Sequence, residues 1–86
     1  MRILLVEDDA DLAQFIRKGL KEERYAVDVA SNGEQGFELG IANPYDLIIL
    51  DIMLPVLDGL SLCRRLRDTG VTAPVLLLTA RDTVQD

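Results

Sequence analysis

Histidine is absent from these 86 residues, cysteine occurs once, and lysine appears only at Lys18 and Lys21. Without histidine and with a single thiol, no nitrogen–sulfur ligand set for zinc can be assembled, and no disulfide can form within the chain. The lone Cys63 suits a reducing compartment. Positive charge is scarce as well: nine Lys plus Arg stand against fifteen Asp plus Glu, a formal net charge of −6. Phosphate binding needs clustered Lys and Arg, so neither nucleic acid nor an anionic membrane is expected as a direct partner. No apolar run approaches membrane-spanning length, and the run Ile3 to Val6 is too short for a signal-peptide core. A cytoplasmic location is the expectation. Repeats, linkers and low-complexity stretches are missing too, and the length allows one domain, residues 1–86.

What is present is apolar and regularly spaced. Hydrophobic residues make up 49% of the chain, too many for a disordered acidic tail. Ile3 to Val6, Leu47 to Leu50 and Val75 to Leu78 are nearly continuous apolar runs, the pattern of parallel strands buried on both faces. Tyr25 to Ala30 is mixed, with Asp28 inside it, and suits an edge strand with one wet face.

Helical patterns fill the gaps. From Asp9 to about Glu23, Leu12, Phe15, Ile16 and Leu20 recur at helical spacing and predict the inward stripe. From about Gly33 to Ala42 a shorter stripe, Phe37 and Ile41, follows a cap at Ser31 or Asn32. Gly36 and Gly40 weaken this helix, each by roughly 1 kcal/mol against alanine. A third helix is predicted over about Leu60 to Arg67, with Asp58 as its cap and Leu62, Cys63 and Leu66 inward.

The order β-α-β-α-β-α-β predicts a parallel sheet with right-handed crossovers, an open α/β unit. Val75 to Leu78 is apolar at four consecutive positions, yet only Thr79 to Asp86 follow it. That strand therefore expects cover from further chain or from another copy. A bare edge would invite pairing or exchange between two copies.

In such a sheet, function gathers at the carboxyl ends of the strands, where strand order reverses. The first strand ends in Glu7-Asp8-Asp9, the third in Asp51, and the fourth in Thr79-Ala80. At about 5 Å and an effective dielectric near 20, each like-charged carboxylate pair costs roughly 3 kcal/mol. Such a cluster protonates or holds a cation, and an all-oxygen donor set suits Mg²⁺. A carboxylate beside Mg²⁺ can attack phosphorus and become an acyl phosphate. Asp9, Asp11 and Asp58 have a simpler reading as residues at helix starts. Asp51 does not, because it closes an apolar run and apolar residues follow it.

Val6-Glu7-Asp8-Asp9, Leu50-Asp51-Ile52-Met53-Leu54-Pro55 with Asp58-Gly59, and Leu78-Thr79-Ala80 together resemble the receiver domain of bacterial two-component response regulators. The likeness runs the length of the chain and is greatest to regulators with a winged-helix DNA-binding output domain. It implies a flavodoxin-like fold of strand order 2-1-3-4-5, here ending at the fourth strand, without the fifth strand and the last two helices. It also implies that Asp51 accepts a phosphoryl group from a sensor histidine kinase. Glu7, Asp8, Asp51 and the backbone carbonyl of Met53 would hold Mg²⁺. Thr79 would be the switch hydroxyl, with Ala80 beside it as a phosphoryl contact, and Pro55 and Gly59 would shape the loop after the acceptor. The family's phosphoryl-contacting lysine lies on the fifth strand; Lys18 and Lys21 fall in the first helix, and Arg81 is the nearest basic residue in sequence to Thr79.

Two other classes compete. One is a phosphorylation-incompetent fragment that self-associates through its sheet edge. The other is a Mg²⁺-dependent phosphatase resembling the haloacid-dehalogenase family. That family needs a second Asp two residues after the nucleophile, where this chain has Met53. A nucleotide-binding enzyme is disfavoured, since acids rather than a glycine-rich loop follow the first strand.

Overall fold

The computed structural model describes residues 1–78. Four strands and three helices alternate: β1 (Arg2–Val6), α1 (Ala10–Glu22), β2 (Ala26–Ala30), α2 (Gly33–Ala42), β3 (Leu47–Asp51), α3 (Gly59–Asp68) and β4 (Val75–Leu78). The strands form one parallel sheet in the order β2-β1-β3-β4. The mixed strand β2 lies at one edge, as its polarity predicts; β1 and β3, the most buried strands, lie inside, and the wholly apolar β4 lies at the other edge of the described sheet. No fifth strand is found among the described residues.

Burial follows the period of two. Leu4, Val6, Ile48 and Leu50 face α2 and α3, where Leu62 and Leu66 meet them. Ile3, Leu5, Val27 and Ile49 face α1, where Ala13, Ile16 and Leu20 meet them. The chain moves from β1 to β2 over one face, then reverses direction to β3 and β4 over the other. Reversing direction while changing face keeps every crossover of one hand, and parallel crossovers are right-handed. The reversal falls between β1 and β3 and opens a crevice at their carboxyl ends.

Three packing expectations need correction. On α1, Leu12 and Phe15 point outward, Phe15 with 76% of its surface exposed, while the small Ala13 takes the buried place. At about 100° per residue, Ala13, Ile16 and Leu20 form a narrower stripe that lets the helix lie close to the sheet. On α2, Ile41 is exposed and the buried residues are Gly33, Gly36 and Gly40. A Cβ on Gly36 would lie 2.8 Å from Val6 Cγ2, and one on Gly40 would lie 2.8 Å from Leu66 Cδ2. The glycines cost helix propensity and make the contact face of α2. On β4, Leu76 and Leu77 are exposed; the strand pairs only with β3 among the described residues.

At the amino ends of the strands a second polar cluster ties β1, β2 and the start of β3 together. The Tyr45 hydroxyl donates to Asp28 Oδ2 at 2.6 Å, and Arg2 Nη2 donates to the same oxygen at 3.1 Å. Asp46 Oδ2 accepts the Arg2 backbone N–H at 2.7 Å.

Candidate functional site

The carboxyl end of β1 runs directly into Glu7, whose backbone N–H donates to the Ala30 carbonyl at 3.0 Å and prolongs the pairing with β2 by one bond. Glu7 is therefore held at the rim and is buried, with 4% of its surface exposed. Its Oε2 accepts the Asp9 backbone N–H at 3.0 Å. Asp9 turns away to cap α1, its Oδ1 accepting from the N–H groups of Asp11 and Leu12 at 3.0 and 3.1 Å. That removes Asp9 from the cluster and leaves Asp8 exposed at the mouth.

Asp51 ends β3 opposite Leu78 and is also buried, 5% exposed. Its Oδ1 accepts the Met53 backbone N–H at 3.0 Å. Carboxylate oxygens of Glu7, Asp8 and Asp51 all lie within 4.8 Å of one another. Burial, followed by the charges of Asp51 and Asp8, pushes the Glu7 carboxyl above its ordinary value. The ion pairs Arg2–Asp28 and Arg65–Glu34 lie elsewhere, so among the described residues no cation pairs with this cluster. An oxygen-only donor set with two buried members and one at the mouth fits a hard divalent cation such as Mg²⁺.

The loop from Ile52 to Asp58 is tied at each end. Ile52 donates its N–H to the Leu78 carbonyl at 2.9 Å and accepts the Gly59 N–H at 2.9 Å. Gly59 lies so near β3 that a Cβ there would stand 2.3 Å from the Asp51 carbonyl oxygen. Asp58 caps α3, as the sequence predicts, with Ser61 N–H and Oγ donating to it at 2.9 and 3.0 Å. Those bonds hold its carboxyl below the ordinary range. Pro55 accepts the Leu57 N–H at 2.8 Å across Val56, whose φ is +73°. This is a γ-turn centred on a β-branched residue, a conformation costing on the order of 1–3 kcal/mol. Nothing in the sequence signals it, since Val is among the residues least suited to positive φ.

The structure thus brings Glu7, Asp8 and Asp51 together, with Met53 and Pro55 in the loop that follows Asp51 and Gly59 at the start of α3. Thr79, Ala80 and Arg81 lie outside the described residues.

A doubly wound sheet with three carboxylates at its reversal point defines a class, and comparison with known proteins specifies it. Residues 3–86 match the response regulator receiver domain. The chain is 56% identical over 84 residues to protein RcaC of Microchaete diplosiphon, covering 98% of this chain and 13% of that protein. It is 47% identical over 85 residues to the transcriptional regulatory protein PcoR of Escherichia coli, covering 99% of this chain and 38% of that protein. Among solved structures, response regulator TrrA from Thermotoga maritima, in complex with Mg(2+)-BeF, superposes with a TM-score of 0.88 at 37% identity. That superposition covers 94% of this chain and 70% of TrrA. The chain belongs to the response regulator receiver domains. Receiver domains act as phosphoacceptors, and this one spans a minor part of the curated relatives it matches.

Proposed function

We propose that this chain is the phosphoacceptor switch of a two-component system, and that Asp51 takes a phosphoryl group from a sensor histidine kinase. One observation carries the reading: a buried carboxylate at the reversal point, one oxygen held by Met53 N–H, with two more carboxylates within 4.8 Å. A carboxylate oxygen of Asp51 forms the new O–P bond. The bond from phosphorus to the donor nitrogen breaks, and its electron pair stays on the departing imidazole. Glu7, Asp8 and Asp51, with the main-chain carbonyl of Met53, are the groups that would hold Mg²⁺. When bound, the ion offsets charge on the phosphoryl oxygens during in-line transfer.

The fixed loop supports this role. Pro55 and Gly59 hold the segment that carries Met53, so its peptide is set before any phosphoryl group arrives. The transfer adds a charge of about −1.5 to −2 beside the rim. Thr79, next in sequence after the β4 residue paired with Asp51, is the hydroxyl proposed to report that charge, with Ala80 beside it. The proposed output is a DNA-binding domain acting on transcription; the relative PcoR is named a transcriptional regulatory protein. The cytoplasm is the proposed location. Activity beyond acceptance would be limited to self-phosphorylation from small phosphodonors.

Beryllofluoride with Mg²⁺, monitored by amide chemical shifts, tests the reading. Shifts centred on residues 7–9 and 51–58, absent in Asp51→Asn and absent without Mg²⁺, are expected. Equal shifts in Asp51→Asn, or shifts confined to the Tyr45 end of the sheet, would overturn it.

A further inference from the structure

The start of α2 closely approaches the acceptor loop at Gly33. Gly33, the first residue of that helix, is buried, and a Cβ on it would stand 2.1 Å from the Leu57 carbonyl oxygen and 2.6 Å from Leu57 Cβ. Backbone sits against backbone there. Leu57 is also the residue whose N–H closes the strained turn over Val56 onto the Pro55 carbonyl. The loop's opposite end is fixed by the Ile52–Gly59 bond and by the close approach of Gly59 to Asp51. Between these two points lies Met53, whose N–H orients Asp51.

From this geometry we infer that Gly33 is a positioning residue for the acceptor site, acting from another helix through Leu57 and the Val56 turn on the Met53 peptide. The inference rests on the reading of Asp51, Glu7 and Asp8 given above. With no side chain at 33, the Leu57 carbonyl seats against α2 and the turn is held in its positive-φ form. A side chain there forces Leu57 outward. Because the loop is short and tied at both ends, the displacement reaches Met53, and with it Asp51 Oδ1 and the Met53 carbonyl. A helix-start glycine is ordinarily explained by capping, but here Asn32 already caps α2, its Oδ1 accepting Gln35 N–H at 2.9 Å. Gly33 is required for closeness to the loop.

The test compares the wild-type chain, Gly33→Ala, Val56→Gly and the double variant. Exposed Val56 contributes little packing, and glycine at 56 lets the turn yield without passing strain to Met53. Two readouts are taken: the Met53 amide resonance without metal, and Mg²⁺ affinity by calorimetry. In Gly33→Ala the Met53 resonance should move, and Mg²⁺ affinity should fall about tenfold or more, as when a group orienting a ligand is lost. In the double variant both should return most of the way to the values of Val56→Gly. An unmoved Met53 amide with unchanged affinity in folded Gly33→Ala would overturn the inference, as would a folded double variant with no recovery. If Gly33→Ala alone fails to fold, folding restored by Val56→Gly supports the contact, and two unfolded variants refute it. Absence of Mg²⁺ binding in the wild type would instead refute the metal-site reading, leaving the Met53 amide to judge Gly33.

Discussion

The backbone N–H of Met53 donates to Oδ1 of Asp51 at 3.0 Å, so the carboxylate that ends β3 is oriented by the loop leaving it. Among the described residues Oδ2 accepts no hydrogen bond, which leaves one oxygen fixed and one available for new chemistry. Replacing Asp51 by Asn keeps the shape and the Met53 contact but removes the charge. Asp51→Asn should therefore fold and lose phosphoryl uptake from acetyl phosphate. Circular dichroism and intact-mass spectrometry check the two halves, and uptake at the wild-type level would misplace the acceptor.

Asp8 is the exposed member of the cluster, so its removal should leave the core undisturbed. Without metal, Asp8→Ala is expected to raise thermal stability, because it relieves the like-charge crowding against Glu7 and Asp51. Mg²⁺ affinity should fall at least tenfold, in line with the loss of a ligand or of its orientation. Calorimetric titration of both proteins measures this, and equal affinities would exclude Asp8 from the metal site.

Stability should depend on pH through the cluster at the opposite end of the sheet. Hydrogen bonding from Tyr45, with help from Arg2, lowers the Asp28 carboxyl. Its stabilising contribution is thus present above the ordinary value of 3.8 and lost as pH falls through the lower folded value. Burial, and then Asp28, push the Tyr45 hydroxyl up to about 12 from 10.0. That contribution is present below 10.0 and lost as pH climbs through about 12. Tyr45→Phe should cost about 1 kcal/mol near neutrality, since Asp28 is partly exposed and screened by water. It should also flatten the alkaline decline in urea midpoints. An unchanged decline would show that Tyr45 is not its source.

Two identical substitutions should have opposite signs. Gly19 lies exposed on α1 with open space where a Cβ would go among the described residues, whereas a Cβ on Gly36 would meet Val6 Cγ2 at 2.8 Å. Gly19→Ala should stabilise by up to about 1 kcal/mol through helix propensity. Gly36→Ala gains the same propensity but overpacks a stiff, fully buried Val, a cost of about 1–3 kcal/mol, and should be net destabilising. Thermal melts decide, and stabilisation by Gly36→Ala would mean that α2 stands farther from the sheet.

Apolar continuity located β1, β3 and β4 to within a residue, and the acid in β2 marked it as an edge. The continuity reports burial on two faces for β1 and β3, but not for β4, whose Leu76 and Leu77 are exposed among the described residues. Asp51, Glu7 and Asp8 were legible for a related reason, since charges at the ends of buried strands have no packing rationale. Close backbone approach was not legible. Gly36 and Gly40 read as weak points of a helix, although with Gly33 they are its contact face. Phe15 and Ile41 read as inward, although smaller neighbours take those places. The Val56 turn left no trace, because a strained conformation is imposed by its surroundings and not by the residue that bears it.

The most direct measurement is the intact mass of the chain after incubation with acetyl phosphate and Mg²⁺, with parallel samples in EDTA and for Asp51→Asn. One added phosphoryl group in the wild type with Mg²⁺, and none in the other two, is the expected result. No gain in the wild type, or an equal gain in Asp51→Asn, would contradict the assignment of Asp51 as a Mg²⁺-dependent phosphoacceptor.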